Sequence, residues 1–455
     1  MENYARRMRQ KIDTVNPNIR IGACACLGSW DVDGTDANTI AHLLAGNTEP
    51  FVRLIGAPYW AANNSWGNHL QDAVELERLE STWTRDSDIE IFAEGDAYPR
   101  PRISCPASYL EGFDTAIRAS GATDGILKYA IDYTSSAKYE QGYVKFHKMN
   151  RPLYSQIDEF FREKDACGVR IYEFPKKIAD MEVGEAPVSS YRFQNTIFCT
   201  SLRSLSNCSI PTTYEGEGVC GACFGPSARY LTPEMRKRGV IIDGAAAMVL
   251  HSMGIDVGIA ELGGEVVTSV EHFIGNGETC ATHGIKIFDH VFNENIIVCS
   301  DAETSSNPAL SHMKDTVNEI KRVTMSYLYE NADGERYLVI NFDTRYRSKD
   351  DHTEAMRYYE RSRQYADSIE WLSRGKKLPA FCFGNPQLYT MVKEKDGARA
   401  VGLWNFFADL IIEPVIKLDR EFSSIRFINC NGTLDKDTVT LSTLPAFGFA
   451  AFEVK

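Results

Sequence analysis

The chain has 455 residues, of which 44% are hydrophobic and 24% are charged, as in an ordinary globular protein of two to four domains. Its formal net charge of −13 argues against a surface built to bind nucleic acid or an anionic membrane, and no apolar run reaches the ~20 residues that span a bilayer. The start, MENYARRMRQKIDTV, lacks the apolar core of a secretory signal. Twelve cysteines, several inside apolar segments such as IGACACL, indicate buried thiols and a reducing, cytoplasmic setting.

The first 163 residues alternate helix and strand patterns. Helices are predicted at ENYARRMRQKID, ANTIAHLLAG, LQDAVELERLESTW and SYLEGFDTAIRASG, and strands at IRIGACACL, PFVRLIGAPY, IEIFAEGD and DGILKYAIDY. Nearly continuous apolar strands separated by helices are typical of a parallel sheet that is covered on both faces. Because such sheets carry their function at the carboxyl ends of the strands, the polar and aromatic residues that gather there are the first candidates for a site.

Two further segments follow. Residues 164–270 contain short strands, a glycine-rich stretch and the strand–helix–strand pattern GVIIDGAAAMVLHSMGIDVGI, which predict a flavodoxin-like or amidotransferase-like α/β domain. Residues 271–455 are rich in strand-like segments with frequent turn signals, interrupted by one helix, TEAMRYYERSRQYADSIEWLS. This texture predicts a β-sandwich-like C-terminal domain.

Glu94 is the strongest candidate for chemistry, because it ends an apolar strand and precedes Gly95 and Asp96 in IEIFAEGDAYPR. A carboxylate at a strand end can project into a cleft. Glycoside hydrolysis needs one carboxylate at the anomeric carbon and a second carboxyl group that protonates the leaving oxygen. The alternative is a structural role, in which Glu94 forms a salt bridge with Arg100 or Arg102 in the loop that follows.

Other side chains at the strand ends are predicted to bind the substrate. Aromatic rings there can stack on a sugar, although any single ring can equally pack against the next helix. Asp31 and Asp132 could act as an acid or base, but a turn, an N-cap or a positioning role is the more ordinary function of such residues. The predicted substrate-binding residues are Trp30, Asp31, Tyr59, Trp60, Asp96, Arg100, Lys128 and Asp132.

Cysteine motifs in the middle segment suggest a different chemistry. Cys220 and Cys223 form a C-x-x-C without a second pair at zinc spacing, so neither a metal site nor any cofactor is predicted. GACFG also matches a G-x-C-x-G nucleophile elbow around Cys223, which would need a histidine base. The H-x-E at His352 and Glu354 opens a charged helix and suits that role poorly. A cysteine-dependent amidase is therefore a lesser hypothesis.

The order of parts resembles the later portion of a glycoside hydrolase of the family 42 β-galactosidase type. The segments that carry this resemblance are IGACACLGSWDVDGTD, PFVRLIGAPYWA, IEIFAEGDAYPRPR, CPASYLEGFDTAIRASG and DGILKYAIDYTSS, with GARAVGLWNFFADLIIEPV and LPAFGFAAFEV in the tail. It implies the C-terminal half of a (β/α)8 TIM barrel, strands five to eight, at residues 1–163. An amidotransferase-like domain without chemistry of its own and a closing β domain would follow.

The resemblance also implies roles for residues. In that clan of retaining enzymes the nucleophile is a glutamate at the end of barrel strand seven, and Glu94 ends the third of the four predicted strands. The acid/base glutamate follows strand four, which would precede Met1, so no residue of this chain matches it. We therefore expect weak glycosidase activity or none from the chain alone, and a homo-oligomer or pairing with a missing barrel half. The competing hypothesis is a non-catalytic carbohydrate-binding or assembly protein.

Overall fold

The computed structural model describes residues 1–25, 30, 36–60, 70–84, 88–97, 105–128, 138, 142–178, 200–282, 284–304, 321–342, 359–385 and 387–455. The chain forms two compact units, each described by itself below. One unit joins Met1–Cys167 to Gln387–Lys455, and the other is Gly168–Pro386. None of the described helices is long and apolar enough to cross a membrane.

The N-terminal part of the first unit alternates helices and strands as the sequence predicts. Its elements are α1 Glu2–Asp13, β1 Ala23–Cys24, α2 Ala37–Ala45, β2 Phe51–Arg53, α3 Leu70–Thr82, β3 Glu90–Gly95, α4 Ala107–Ser120, β4 Gly125–Lys128, α5 Gly142–Phe161 and β5 Asp165–Cys167. Strands β1 to β4 form a parallel sheet in the order of the chain. The four predicted strands are confirmed, and among the described residues their sheet does not close into a barrel.

Local chemistry sets the ends of these helices. The side chain of Asp36, the N-cap of α2, accepts a hydrogen bond from the backbone N–H of Thr39, as short polar N-caps do. Helix α4 ends at Gly121, whose φ of +65° is the left-handed conformation that glycine adopts without strain. Its N–H donates to the carbonyls of Ile117 and Arg118 and so satisfies the last turn of the helix.

The C-terminal part of the same unit is antiparallel. Its strands are β19 Leu388–Lys395, β20 Ala398–Asn405, β21 Val415–Leu418, β22 Ile425–Ile428, β23 Gly432–Asp435, β24 Thr438–Leu441 and β25 Phe449–Val454. Strands β22, β25, β20, β19 and β5 form one sheet, and β21, β24 and β23 pair with one another. Trp404, Tyr389 and Phe449 from these strands share a buried core with Phe113 of α4 and Phe161 of α5. This shared core makes the two stretches of sequence one unit.

The second unit is built on a mixed sheet. Its helices are α6 Thr200–Ser206, α7 Pro233–Lys237, α8 Gly244–Ser252 and α9 Tyr359–Leu372. Its strands are β6 Val169–Ile171, β7 Thr212–Thr213, β8 Gly221–Cys223, β9 Val240–Asp243, β10 Ile259–Glu261, β11 Glu265–Phe273, β12 Thr279–Ala281, β13 Lys286–Phe288, β14 Val291–Phe292, β15 Ile297–Thr304, β16 Lys321–Glu330, β17 Arg336–Ile340 and β18 Ala380–Cys382.

This sheet runs through the predicted boundary at residue 270. Strands β7, β6, β8 and β9 are parallel, as an α/β domain requires, but β17 continues the sheet from β9 and leads into the antiparallel β16, β15 and β11. The residues expected in two domains thus share one sheet. The division differs from the three predicted segments because hydrogen bonding between distant strands, which sequence texture does not reveal, decides it.

Candidate active site

The parallel sheet has two distinct faces, because side chains alternate along each strand. Val52, Ile91 and Ala93 lie in hydrophobic cores that include residues of the helices. Glu94 alternates with Ala93 and therefore points to the opposite face. Arg53, next to Val52, shares that face with Glu94.

Glu94 is held by groups from the neighbouring strand. One carboxylate oxygen, Oε1, forms an ion pair with the guanidinium of Arg53, and the other, Oε2, lies 3.4 Å from the backbone N–H of Gly56, which donates to it. The side chain is almost fully buried. The structure therefore places Glu94 at the carboxyl end of β3, as predicted, and pairs it with Arg53. Arg100 and Arg102 lie outside the described residues.

Two further carboxylates of α3 complete the cluster. Glu77 Oε1 accepts the backbone N–H of Glu94 at 2.7 Å, and Glu80 Oε2 accepts the backbone N–H of Ile55 at 3.0 Å. The backbone of β2 still bonds to that of β3 at Leu54, whose N–H donates to the Phe92 carbonyl. Beyond this point the carboxylates of α3 accept the backbone N–H groups of the two strands. This arrangement explains why acidic residues occur in a helix that is buried from Leu70 to Ser81.

Among the described residues, the charges in this cluster do not balance. Glu77, Glu80 and Glu94 share Arg53, and Arg53 Nε, Glu77 Oε2 and Glu80 Oε1 are buried atoms without a hydrogen-bond partner in the structure. Burial raises the pKa of Glu77 well above its usual value, against the lowering effect of Arg53. Burial, together with the charge of Glu77, also raises the pKa of Glu80, although the Ile55 N–H and Arg53 oppose it. Carboxyl groups with raised pKa values beside a strand end are a frequent mark of functional sites.

The structure describes the surroundings of three further predicted substrate-binding residues, namely Asp96, Tyr59 and Trp30. Asp96 is buried, and its backbone N–H donates to the Glu94 carbonyl at 3.1 Å. Tyr59 is half-buried against the small core that contains Ala97. Trp30 packs edge-on against Trp83, with ring centroids 5.2 Å apart, and its indole nitrogen is buried without a partner. This contact is of the packing kind that was considered as the alternative for every aromatic ring here, and substrate binding by Trp30 stays a prediction.

Lys128 lies on the other face of the sheet from Glu94. It ends β4 opposite Gly95, while its neighbour Leu127 lies opposite Glu94. Its ammonium group contacts Glu111 Oε1 at 2.5 Å and Asp114 Oδ2 at 2.8 Å, both on α4. Pleating turns this last residue of the strand toward the helices, and substrate binding by Lys128 stays a prediction.

The Lys128 cluster also contains donor atoms that could hold a metal. Oxygens of Glu111 and Asp114 and a ring nitrogen of His147 lie within 4.8 Å of one another. The ammonium of Lys128 lies in hydrogen-bonding range of all three, at 3.1 Å from His147 Nδ1. A lysine thus supplies the positive charge that the two carboxylates need. Burial alone would raise the pKa of Asp114, but the hydrogen bond with His147 and the charges of Lys128 and Arg118 outweigh it and hold that pKa well below its usual value.

The remaining predicted residues cannot be compared with the structure. Asp31, Arg100 and Asp132 lie outside the described residues, and the side chain of Trp60 is not described, although its backbone ends a short 3-10 helix that begins at Pro58. The sequence reasoning missed Arg53, Glu77 and Glu80. A lone arginine in the apolar strand PFVRLIGAPY was a usable signal, because a charge in a strand covered on both faces needs a buried partner.

Cys223 lies in the interior of the second unit. It ends β8, and both Cys220 and Cys223 are fully buried. Burial raises the pKa of the Cys220 thiol far above its usual value, which disfavours the reactive thiolate. The cysteine-dependent amidase hypothesis gains no support from these positions.

Comparison with solved structures identifies relatives in fold. The α-L-fucosidase isoenzyme 2 from Paenibacillus thiaminolyticus superposes with a TM-score of 0.59 at 10% identity, over 100% of this chain and 71% of that chain. The fold resembles that of glycoside hydrolases. A β-galactosidase from Rahnella sp. R3 gives a TM-score of 0.54 at 10% identity, over 99% of this chain and 66% of its own. A family 42 β-galactosidase from G. stearothermophilus gives 0.51 at 10% identity, over 97% and 65%.

These likenesses confirm the predicted resemblance to glycoside hydrolases of the family 42 type at the level of fold, which is all that 10% identity shows. The chain spans about two thirds of the length of these neighbours. No protein-family model and no curated protein matches the sequence.

Proposed function

We propose that this chain carries the nucleophile part of a retaining glycoside hydrolase site for β-linked sugars, with Glu94 as the nucleophile. The observation that carries the proposal is the position of the Glu94 carboxylate at the carboxyl end of a parallel strand, paired with Arg53 from the next strand, in a glycoside-hydrolase fold. An ion pair with a guanidinium favours the charged form of a carboxylate, and only that form attacks an anomeric carbon. Attack would form a glycosyl ester on Glu94, which water then hydrolyses.

The second carboxyl group is proposed to come from another barrel half. Retaining enzymes keep their two carboxyl groups about 5–5.5 Å apart across the sugar. Within the described residues, Glu77 and Glu80 are the carboxyl groups that approach Glu94 through the strand ends, and both are fully buried with one oxygen on a backbone N–H. Neither is positioned to reach a sugar. An acid supplied by another barrel half would mean little turnover of ordinary glycosides by the chain alone.

The test detects attack by the nucleophile without requiring an acid to protonate the leaving group. A 2-deoxy-2-fluoro-β-galactoside with a dinitrophenyl leaving group needs no proton donor, since the phenolate leaves unaided, and it traps the ester on the nucleophile. We expect intact-mass spectrometry to show one fluoroglycosyl adduct on the wild-type chain and none on Glu94→Gln. Glu90→Gln is the matched control, because Glu90 lies on the same strand and its carboxylate pairs with Arg20 at 2.5 Å; this variant should be labelled.

Two results would contradict the proposal. Equal labelling of Glu94→Gln would overturn the assignment of the nucleophile. Rapid, Glu94-dependent hydrolysis of alkyl glycosides, whose alkoxide cannot leave without a proton, would show that an acid/base is present after all, and would overturn the proposal that the acid comes from another barrel half.

A second candidate function is favoured by the burial of Glu94. A carboxylate that is 4% exposed and occupied by Arg53 and Gly56 can be purely structural. The chain would then be a non-catalytic carbohydrate-binding or assembly protein. Saccharide binding without any labelling would favour this candidate.

Sedimentation of the purified chain as a monomer would contradict the proposed homo-oligomer.

A further inference from the structure

A loop of the C-terminal strands holds Phe447 against the start of α4, and a second loop brings Phe407 next to it. The ring of Phe447 packs on that of Tyr109, with centroids 4.9 Å apart and planes inclined at 58°. The backbone N–H of Phe447 donates to the carbonyl of Phe407 at 3.3 Å, so the two residues are neighbours. Phe407 is 53% exposed. We call Tyr109, Phe447 and Phe407 the aromatic wall.

The aromatic wall is continuous with the candidate active site. Tyr109 and Tyr59 pack against the same small core, which includes Ala97. Ala97 lies three residues after Glu94 along the chain, and Tyr59 lies three residues after Gly56, whose N–H reaches the Glu94 carboxylate. Residues that follow two neighbouring strand ends therefore meet the wall at Tyr109.

The loops that carry the wall are fixed by a buried amide. Asn405 is fully buried, and its Nδ2 donates to the carbonyls of Asp409 at 2.7 Å and Pro445 at 3.0 Å. Its Oδ1 accepts the backbone N–H of Phe407 at 3.2 Å. One side chain thus ties the Phe407 loop to the Phe447 loop, and the exposed ring of Phe407 is presented by a rigid support.

The backbone of Phe447 is held in an unfavourable conformation. Its φ is +54°, in the left-handed region that bulky residues rarely adopt. Such strain is kept where the surroundings impose it and is concentrated at functional positions. A glycine at position 447 would adopt this conformation without strain, yet the glycine of this turn is the next residue, Gly448. The position nevertheless holds a phenylalanine, whose ring lies on Tyr109.

We propose that the aromatic wall is a saccharide-binding subsite that receives the part of an oligosaccharide lying beyond the Glu94 site. This proposal rests on the proposed function. The apolar faces of pyranose rings stack on aromatic rings, and a phenol group can bond a sugar hydroxyl. The half-exposed Phe407 offers such a face. The Tyr109 hydroxyl forms no hydrogen bond within the part of the chain that the structure describes, so it is available to a ligand.

Chain-length dependence of binding tests the wall. Dissociation constants for galactose and for β-linked galactobiose and galactotetraose are measured by calorimetry on the full chain. We expect the tetrasaccharide to bind wild type roughly five- to tenfold more tightly than the disaccharide, which is the contribution of one aromatic contact. Phe407→Ala and Tyr109→Leu should each abolish this gain. Tyr4→Ala, which removes an exposed ring on α1, is the control and should keep it.

Each outcome of the binding experiment either supports the subsite or overturns it. An unchanged gain in both wall variants, or no gain in wild type, overturns the subsite while leaving the Glu94 proposal to its own labelling test. Gain retained in Glu94→Gln supports a wall that binds independently of the nucleophile. A loss of self-association in Phe407→Ala, with saccharide binding unchanged, overturns the subsite in favour of a contact between copies of the chain. Phe407→Ala replaces an exposed side chain, so folding should not limit the test.

Discussion

The neighbouring strand ends of β3 and β4 collect buried charges in opposite ways. At Lys128, two carboxylates meet a lysine, Arg118 donates to Asp114 at 2.6 Å, and Asn150 donates to Glu111 at 2.8 Å. At Glu94, within the part of the chain that the structure describes, three carboxylates share one arginine, and buried atoms of Arg53, Glu77 and Glu80 have no hydrogen-bond partner.

This difference separates a structural cluster from a candidate site. Buried polar groups in stable proteins are paired, so a satisfied network needs no functional explanation, while unpaired ones require a reason. The pKa values of the buried carboxyl groups at the two strand ends are also shifted in opposite directions. The pKa of Asp114 lies below its usual value, and those of Glu77 and Glu80 lie above theirs. Stability measurements can therefore test the comparison directly.

The largest expected effect is at Lys128. Lys128→Met removes the charge between Glu111 and Asp114 and leaves two buried carboxylates without their lysine. We expect the free energy of unfolding to fall by about 3–5 kcal/mol, as when one partner of a buried ion pair is removed. Urea unfolding followed by tryptophan fluorescence measures this. Lys417→Met, which breaks an exposed pair with Asp437, should cost far less, because solvent screens such a pair. Equal losses in both variants would show that the Lys128 cluster is not a structural centre.

The next effect is at Asp114 and depends on pH. Because the folded-state pKa is below the unfolded one, Asp114 contributes stability above pH ~4, and this contribution is lost as the pH falls through the folded pKa. Asp114→Asn should therefore cost about 2–4 kcal/mol at pH 7 and progressively less below pH 4. Unfolding curves between pH 2.5 and pH 7 check the trend. A cost that does not change with pH would contradict the lowered pKa.

The smallest effect is at Glu80 and has the opposite sign. Its raised folded-state pKa means that the folded protein binds more protons than the unfolded chain, so wild-type stability falls as the pH rises above ~4.3. Glu80→Gln keeps an acceptor for the Ile55 N–H and removes the charge. We expect it to match wild type at pH 4 and to be about 1–2 kcal/mol more stable at pH 8. Glu2→Gln, at an exposed position of α1, is the control for general charge effects. A Glu80→Gln variant that is less stable than wild type at pH 8 would contradict the raised pKa of Glu80.

Part of the candidate site could be predicted and part could not. Glu94 was found because its strand is a local apolar pattern and its polar exit stands out within a few residues. Arg53 is 41 positions away in sequence, and only the parallel register, Arg53 opposite Phe92, brings it to Glu94. The face on which Lys128 lies could not be predicted either, since the structure begins β4 at Gly125 and this start sets the alternation that turns Lys128 toward α4. Local patterns do not fix that alternation.

The sequence by itself determined the succession of helices and strands in the first 163 residues, the resemblance in fold and the strand end that carries Glu94. Periodicity, caps and turn residues act over one or two helical turns, so they can be read in order along the chain. Only the tertiary structure decided that residues 387–455 share a core with α4 and α5, that one sheet crosses residue 270, and that Phe447 lies on Tyr109. Those features depend on contacts between residues from 97 to 338 positions apart, and packing and hydrogen bonding, which local patterns do not reveal, select the partners.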